Sequence, residues 1–148
     1  MRLSPYWTAR DASRSGLERD DYPWTADSQT LDGYDALVGE LSQRPLACLH
    51  LRGRVPRDPG AAPDFDEFAR YRKLFGAPLI VNNGFGREAG NAIIEAGIAD
   101  AVSFARLFIA NPDLVSRFAP GHQHAADDRG THYAGGPHGY VDYPSLAM

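Results

Sequence analysis

Three short apolar runs, each set beside a stretch with helical spacing, restrict this chain to few architectures. Leu46 to Leu51, Pro78 to Val81 and Asp100 to Phe104 are bounded by breakers and read as strands buried on both faces. Ahead of the first, Leu31 to Leu41 places Tyr34, Leu37, Val38 and Leu41 at i, i+3, i+4 and i+7, one apolar helical face. Asp64 followed three residues later by Glu67 forms a capping-box pattern, Phe68 and Phe75 lie two turns apart, and Gly76 is placed to end that helix. Arg87 to Ala96 carries Ala89, Ile93 and Ala96 on one side and stops at Gly97. Alternating helices and buried strands with short connections predict an α/β fold with a parallel sheet and right-handed crossovers. Met1 to Ser4 reads as the end of a further strand, and Pro5 to Gln29 as a long loop. From Gly121 the chain is rich in Gly, His and Asp, an irregular tail that must pack on something to be ordered.

With 148 residues, 43% of them hydrophobic, the chain can bury one core, so a single domain over 1–148 with its tail at 121–148 is expected. The charge balance, 15 Lys+Arg against 19 Asp+Glu, offers no basic cluster to track a nucleic-acid backbone. No apolar run approaches the roughly 20 residues of a membrane helix, and the opening MRLSPYWTAR lacks the apolar stretch of a secretion signal, so a cytoplasmic location is expected. The single cysteine, Cys48, lies in an apolar run and reads as a buried thiol.

Two strand ends carry candidate chemistry. Leu79-Ile80-Val81 runs into Asn82-Asn83-Gly84-Phe85, and Val102-Ser103-Phe104 runs into Ala105-Arg106. In α/β folds ligands collect at the carboxyl ends of strands, and in barrels the loops after the last two strands commonly hold phosphate. Amides at a helix start have no internal acceptor and lie at the positive end of the dipole. Asn83, Gly84, Ala105 and Arg106 are the expected donors, with the planar fork of Arg106 able to hold two phosphate oxygens at once. Either motif alone is an ordinary turn or a solvated arginine; their occurrence one strand–helix unit apart points to phosphate. Asn111-Pro112-Asp113-Leu114 reads as a helix start with Asn111 as cap. His122, His124, His132 and His138 lack the spacing of known zinc ligands, so no metal is expected.

Taken together, Pro78 to Phe85, Ala99 to Leu114, Asp128-Arg129 and Gly139 to Pro144 resemble the closing third of Old Yellow Enzyme-type flavoproteins, which include ene reductases and the plant oxophytodienoate reductases. The opening Arg2-Leu3-Ser4-Pro5 is similar to the end of the family's fifth barrel strand. The resemblance implies the C-terminal half of a (β/α)8 barrel, strands five to eight, where a complete barrel takes about 250 residues. It implies FMN as cofactor, reduced by NAD(P)H, and an activated alkene as hydride acceptor. Arg2 matches an arginine near N1 and O2 of the flavin ring, Asn83, Gly84, Ala105 and Arg106 match the phosphate segment, and Tyr133 matches an aromatic residue of the substrate pocket.

Departures from the family pattern accompany these matches. Asn83 and Ala105 stand where the family usually has Gly, so a site requiring positive φ at Ala105 would be destabilised by about 1 kcal/mol. His132 stands where the family prefers Phe. No His-x-x-His or His-x-x-Asn substrate clamp occurs in the chain, and the tyrosine that donates the proton is not located. The expectations that follow are a piece of an ene reductase needing a complementary N-terminal half-barrel, an FMN- or phosphate-binding half-barrel that pairs with its own copy, or a relic that binds neither.

Overall fold

Runs rich in Leu, Ile and Val, closed by Gly or Asn, form a ladder of four parallel strands. The computed structural model describes residues 1–6, 26–54, 61–132 and 136–146, in two compact units, Met1–Ser103 and Phe104–Met148. The first unit holds β1 (Arg2–Leu3), α1 (Ser28–Ser42), β2 (Leu49–Arg52), α2 (Phe65–Arg72), β3 (Leu79–Asn82), α3 (Arg87–Glu95) and β4 (Ala101–Ser103). Its sheet has the order β1-β2-β3-β4, every neighbouring pair parallel, with Arg2 opposite His50, His50 opposite Ile80 and Ile80 opposite Ala101. The α/β reading and the strand at the N-terminus both hold.

The strands were expected to be buried on both faces, and that is corrected. Leu49, Leu51, Leu79 and Val81 are sealed, whereas His50, Arg52, Ile80 and Asn82 between them are only half-buried. Side chains alternate across a strand, so the sheet has one apolar face and one largely polar face. Val38 of α1, Phe68 and Tyr71 of α2 and Ile93 of α3 are the sealed helical residues, which puts the core between the apolar sheet face and the helices. The first apolar run is also shorter than expected: Leu46 donates back to Arg44, Ala47 is exposed, and Cys48 is half-buried rather than buried.

Caps explain where the helices depart from expectation. α1 starts at Ser28, inside the stretch read as loop, because Asp27 Oδ1 accepts from Thr30 N at 2.8 Å. Residues 7–25 of that stretch lie outside the described residues. Of its expected apolar face only Val38 is sealed; Leu37 sits at the margin and is exposed. Asp64 caps α2 through Asp66 N at 3.0 Å, but Glu67 does not close a capping box. Its buried carboxylate instead accepts from Arg54 N at 2.8 Å and Arg54 Nε at 2.7 Å, fixing the chain just after β2. α2 ends at Arg72, ahead of Gly76. α3 ends at Glu95 with Ala96 as its cap, one residue short of the expected Ala96, and Gly97 follows with φ of 68°, which suits glycine.

The second unit holds α4 (Arg106–Ala110) and α5 (Leu114–Phe118), followed by a tail without helix or strand among its described residues. Asn111 is not the cap expected of it, since Asp113 precedes α5. The Asn111 side chain is fully buried, donating to Leu107 O at 2.9 Å and Ala125 O at 3.1 Å and accepting from Ala125 N at 2.7 Å. It closes the end of α4 and anchors the tail with all of its polar atoms in use. Arg117, also buried, adds bonds to Asp113 at 2.7 Å, Gln123 O at 3.3 Å and Pro144 O at 2.9 Å.

Gly53 follows β2 against the ring of Phe68, where a Cβ would lie 2.4 Å from the ring carbon. Gly53→Ala therefore forces Phe68 out of a sealed position and lowers the unfolding free energy by about 1–3 kcal/mol. Urea denaturation with an unchanged midpoint would show that the ring yields without cost.

Candidate functional site

The loop after β3 bears the most unusual backbone of the first unit. Asn83 has φ of 96°, the one positive value among described non-glycine residues, and Gly84 follows at 76°. Asparagine tolerates this region better than most side chains, at a cost that surrounding contacts must offset. The Asn83 side chain supplies such a contact, Nδ2 donating to Gly53 O at 3.1 Å. Neither the Asn83 nor the Gly84 amide donates to a backbone carbonyl among the described residues, and both residues are half-buried. Paired amides without acceptors at a strand end suit an anionic group such as a phosphate. These amides were expected at a helix start; they lie in the bend before Gly86, the residue that caps α3.

Across the polar sheet face runs a second arrangement. Arg2 Nη2 donates to Asn82 Oδ1 at 3.3 Å, Asn82 Nδ2 donates to Ser103 O at 2.8 Å, and Ser103 Oγ shares a hydrogen bond of 2.8 Å with His50 Nε2. All four strands are thereby linked through side chains of one face. Burial first, then the Arg2 guanidinium and the chain's terminal ammonium, pushes the His50 imidazole below its ordinary pKa, so it is neutral at pH 7. Arg2, expected near the flavin ring, is exposed and engages Asn82 through one nitrogen only. His50, Asn82 and Ser103 were not singled out from the sequence. The signal is alternation at two of them: His50 and Asn82 each flank a sealed apolar neighbour, which marks the second face of a strand as something other than core, whereas the neighbours of Ser103 are only half-buried.

In the second unit, Ala105 precedes α4 and Arg106 is its first residue, both exposed. Ala105 has φ of −106°, so the strain anticipated for an alanine in place of glycine does not arise. Tyr133 lies outside the described residues. His132 Nε2 is 3.1 Å from Asp127 Oδ2, and His138 Nδ1 is 2.9 Å from Asp142 Oδ2. Among the described residues no three His, Cys, Asp or Glu side chains converge as metal ligands.

No family model matches the chain. It is 34% identical to rice (Oryza sativa subsp. japonica) 12-oxophytodienoate reductase 1, over 99% of this chain and 36% of that protein. Another rice protein bearing the oxophytodienoate reductase name is 49% identical, again over 99% of this chain and 36% of its own length. Among solved structures, morphinone reductase aligns with TM-score 0.75 and 32% identity, covering 98% of this chain and 35% of that one. The old yellow enzyme homologue NCR from Zymomonas mobilis aligns with TM-score 0.74 and 32% identity over 98% of this chain and 38% of its own. The chain thus spans little more than a third of the length of the curated relatives it matches.

The depressed His50 pKa has a definite consequence. Below about pH 6.5 the unfolded chain takes up a proton on His50 that the folded chain does not yet bind. Stability therefore declines as pH falls from 6.5 and levels once folded His50 is protonated. His50→Gln is expected to flatten that part of the profile, read from urea midpoints between about pH 7.5 and 5. Parallel profiles for the two proteins would remove His50 from the account.

Proposed function

Because the chain belongs to the Old Yellow Enzyme family, matching the C-terminal half of its (β/α)8 barrel, we propose that it carries the FMN phosphate site of an NAD(P)H-dependent ene reductase. The observation that carries this reading is the pair of left-handed residues after β3, Asn83 and Gly84, with amides that have no backbone acceptor among the described residues. In this reading those amides bind phosphate oxygens; for the amides of Ala105 and Arg106 and the Arg106 guanidinium, in the second unit, the same role is what the family resemblance implies. A guanidinium fork matches a phosphate edge with two parallel hydrogen bonds. The relatives named as reductases support the activity class.

The chemistry FMN supplies when bound is hydride transfer between a nicotinamide and an activated alkene. The chain's own contribution is binding and charge. Arg2, on the polar sheet face, would place a fixed cation near the pyrimidine edge of the flavin ring, where negative charge develops on reduction. Asn82 holds one Arg2 nitrogen and leaves the rest of the guanidinium for such a contact. Tyr133 would line the substrate pocket. The His-x-x-His or His-x-x-Asn clamp and the proton-donating tyrosine have no counterpart in this chain, so catalysis would require a complementary N-terminal half-barrel.

A second reading, an FMN-binding half-barrel paired with its own copy, draws on the half-buried polar sheet face.

Titration of FMN fluorescence tests the phosphate assignment. Arg106→Ala is expected to weaken FMN binding by about 10- to 100-fold, the size of a lost charge-assisted pair, and Arg106→Lys by less. Equal affinity in wild type and Arg106→Ala would sink the assignment of Arg106, and fluorescence unchanged by wild-type protein would sink the site.

A further inference from the structure

The geometry points to Asn83 as a positioning residue whose side chain, in place of the backbone freedom of glycine, prebuilds the phosphate loop. This inference rests on the phosphate reading above and concerns what fixes the amides rather than what they bind. Two hydrogen bonds of opposite sense join the ends of β2 and β3: Gly53 N donates to Asn82 O at 3.0 Å, and Asn83 Nδ2 donates to Gly53 O at 3.1 Å. The second continues the ladder one residue past its last backbone pair, Arg52 with Asn82, by substituting a side-chain amide for a peptide.

The acceptor is itself immobilised. Gly53 lies against the Phe68 ring with no room for a Cβ, and Phe68 is 1% exposed. The same ring packs on Phe85 at 5.5 Å between centroids, and Phe65 approaches Phe85 from 6.4 Å. The loop is therefore held at both ends, by Asn83 to Gly53 and by Phe85 in the aromatic cluster, with Gly84 between them. An amide fixed before the ligand arrives spares the ordering entropy that a mobile loop would lose on binding. Glycine at 83 would accept the same φ but could not donate to Gly53. Asn83 thus couples the amide directions at residues 83 and 84 to the core through a single hydrogen bond.

Asn83→Gly separates this role from backbone strain, because glycine adopts φ near 96° freely. In the full 148-residue chain the variant should keep its thermal midpoint within a few degrees. Amide exchange at Gly53, whose N–H bonds Asn82 O beside the lost contact, should accelerate about five- to tenfold in ligand-free protein, and the FMN dissociation constant should rise by a similar factor, the scale of one neutral hydrogen bond. Riboflavin, which lacks the phosphate, should bind both proteins equally. Asn83→Asp, which cannot donate to Gly53 O, should weaken FMN further by charge repulsion. Unchanged exchange in Asn83→Gly, or FMN and riboflavin affected alike, overturns the positioning role while leaving the phosphate site intact. Wild-type protein that binds neither FMN nor inorganic phosphate overturns the phosphate reading and this inference with it.

Discussion

Parallel pairing of four strands in sequence order imposes one constraint from which the rest follows: every strand ends at the same edge of the sheet. Backbone groups inside the ladder are satisfied by neighbours, and those just past it are not. The amides of Asn83 and Gly84, without a backbone acceptor among the described residues, are a direct result, lying one and two residues beyond the last backbone pair of β3. An antiparallel arrangement of the same segments would have alternated their ends between opposite edges, so the ends of β2 and β4 would not lie beside the loop after β3. The location of the candidate site is thus a property of strand direction before it is a property of any side chain.

What the sheet face does with its side chains is a separate matter, and here the sequence was only half legible. Apolar runs, breakers and helical spacing were enough to place β2, β3, β4 and α3 within a few residues, because those signals arise from local backbone preference and burial. They could not tell a strand sealed on both faces from one sealed on a single face. His50, Arg52 and Asn82 interrupt their runs at alternate positions, a pattern obscured by the shortness of each strand. Capping was legible where the acceptor is local, as at Asp64. It was misleading where a tertiary partner competes, as with Glu67, taken by Arg54, and Asn111, taken by Ala125.

The two positions where the resemblance leads glycine to be expected illustrate how one local rule has opposite outcomes. Ala105 was suspected of strain and has none, because the chain enters α4 with φ of −106°. Asn83 does occupy the left-handed region, at 96°. Sequence alone could not distinguish these cases, since φ depends on how the chain leaves its strand. Alanine fits where the helix begins directly, whereas two residues, Gly84 and Phe85, separate Asn83 from the cap of α3 at Gly86. An alanine at 83 would carry the strain without the hydrogen bond that offsets it.

The same economy of contacts governs the polar face. Arg2 bonds the Asn82 side chain, Asn82 bonds the Ser103 backbone carbonyl and the Ser103 hydroxyl meets His50, so hydrogen bonds on this face span all four strands. A neutral His50 can serve Ser103 in either hydrogen-bonding sense, and a protonated one only as donor. The lowered pKa of His50 therefore preserves the flexibility of that link at neutral pH and adds no further positive charge beside Arg2. In an apolar barrel interior such a row would serve no packing purpose and would be costly to bury. Its presence is intelligible if the face meets an anionic, hydrogen-bonding group whose charge Arg2 complements.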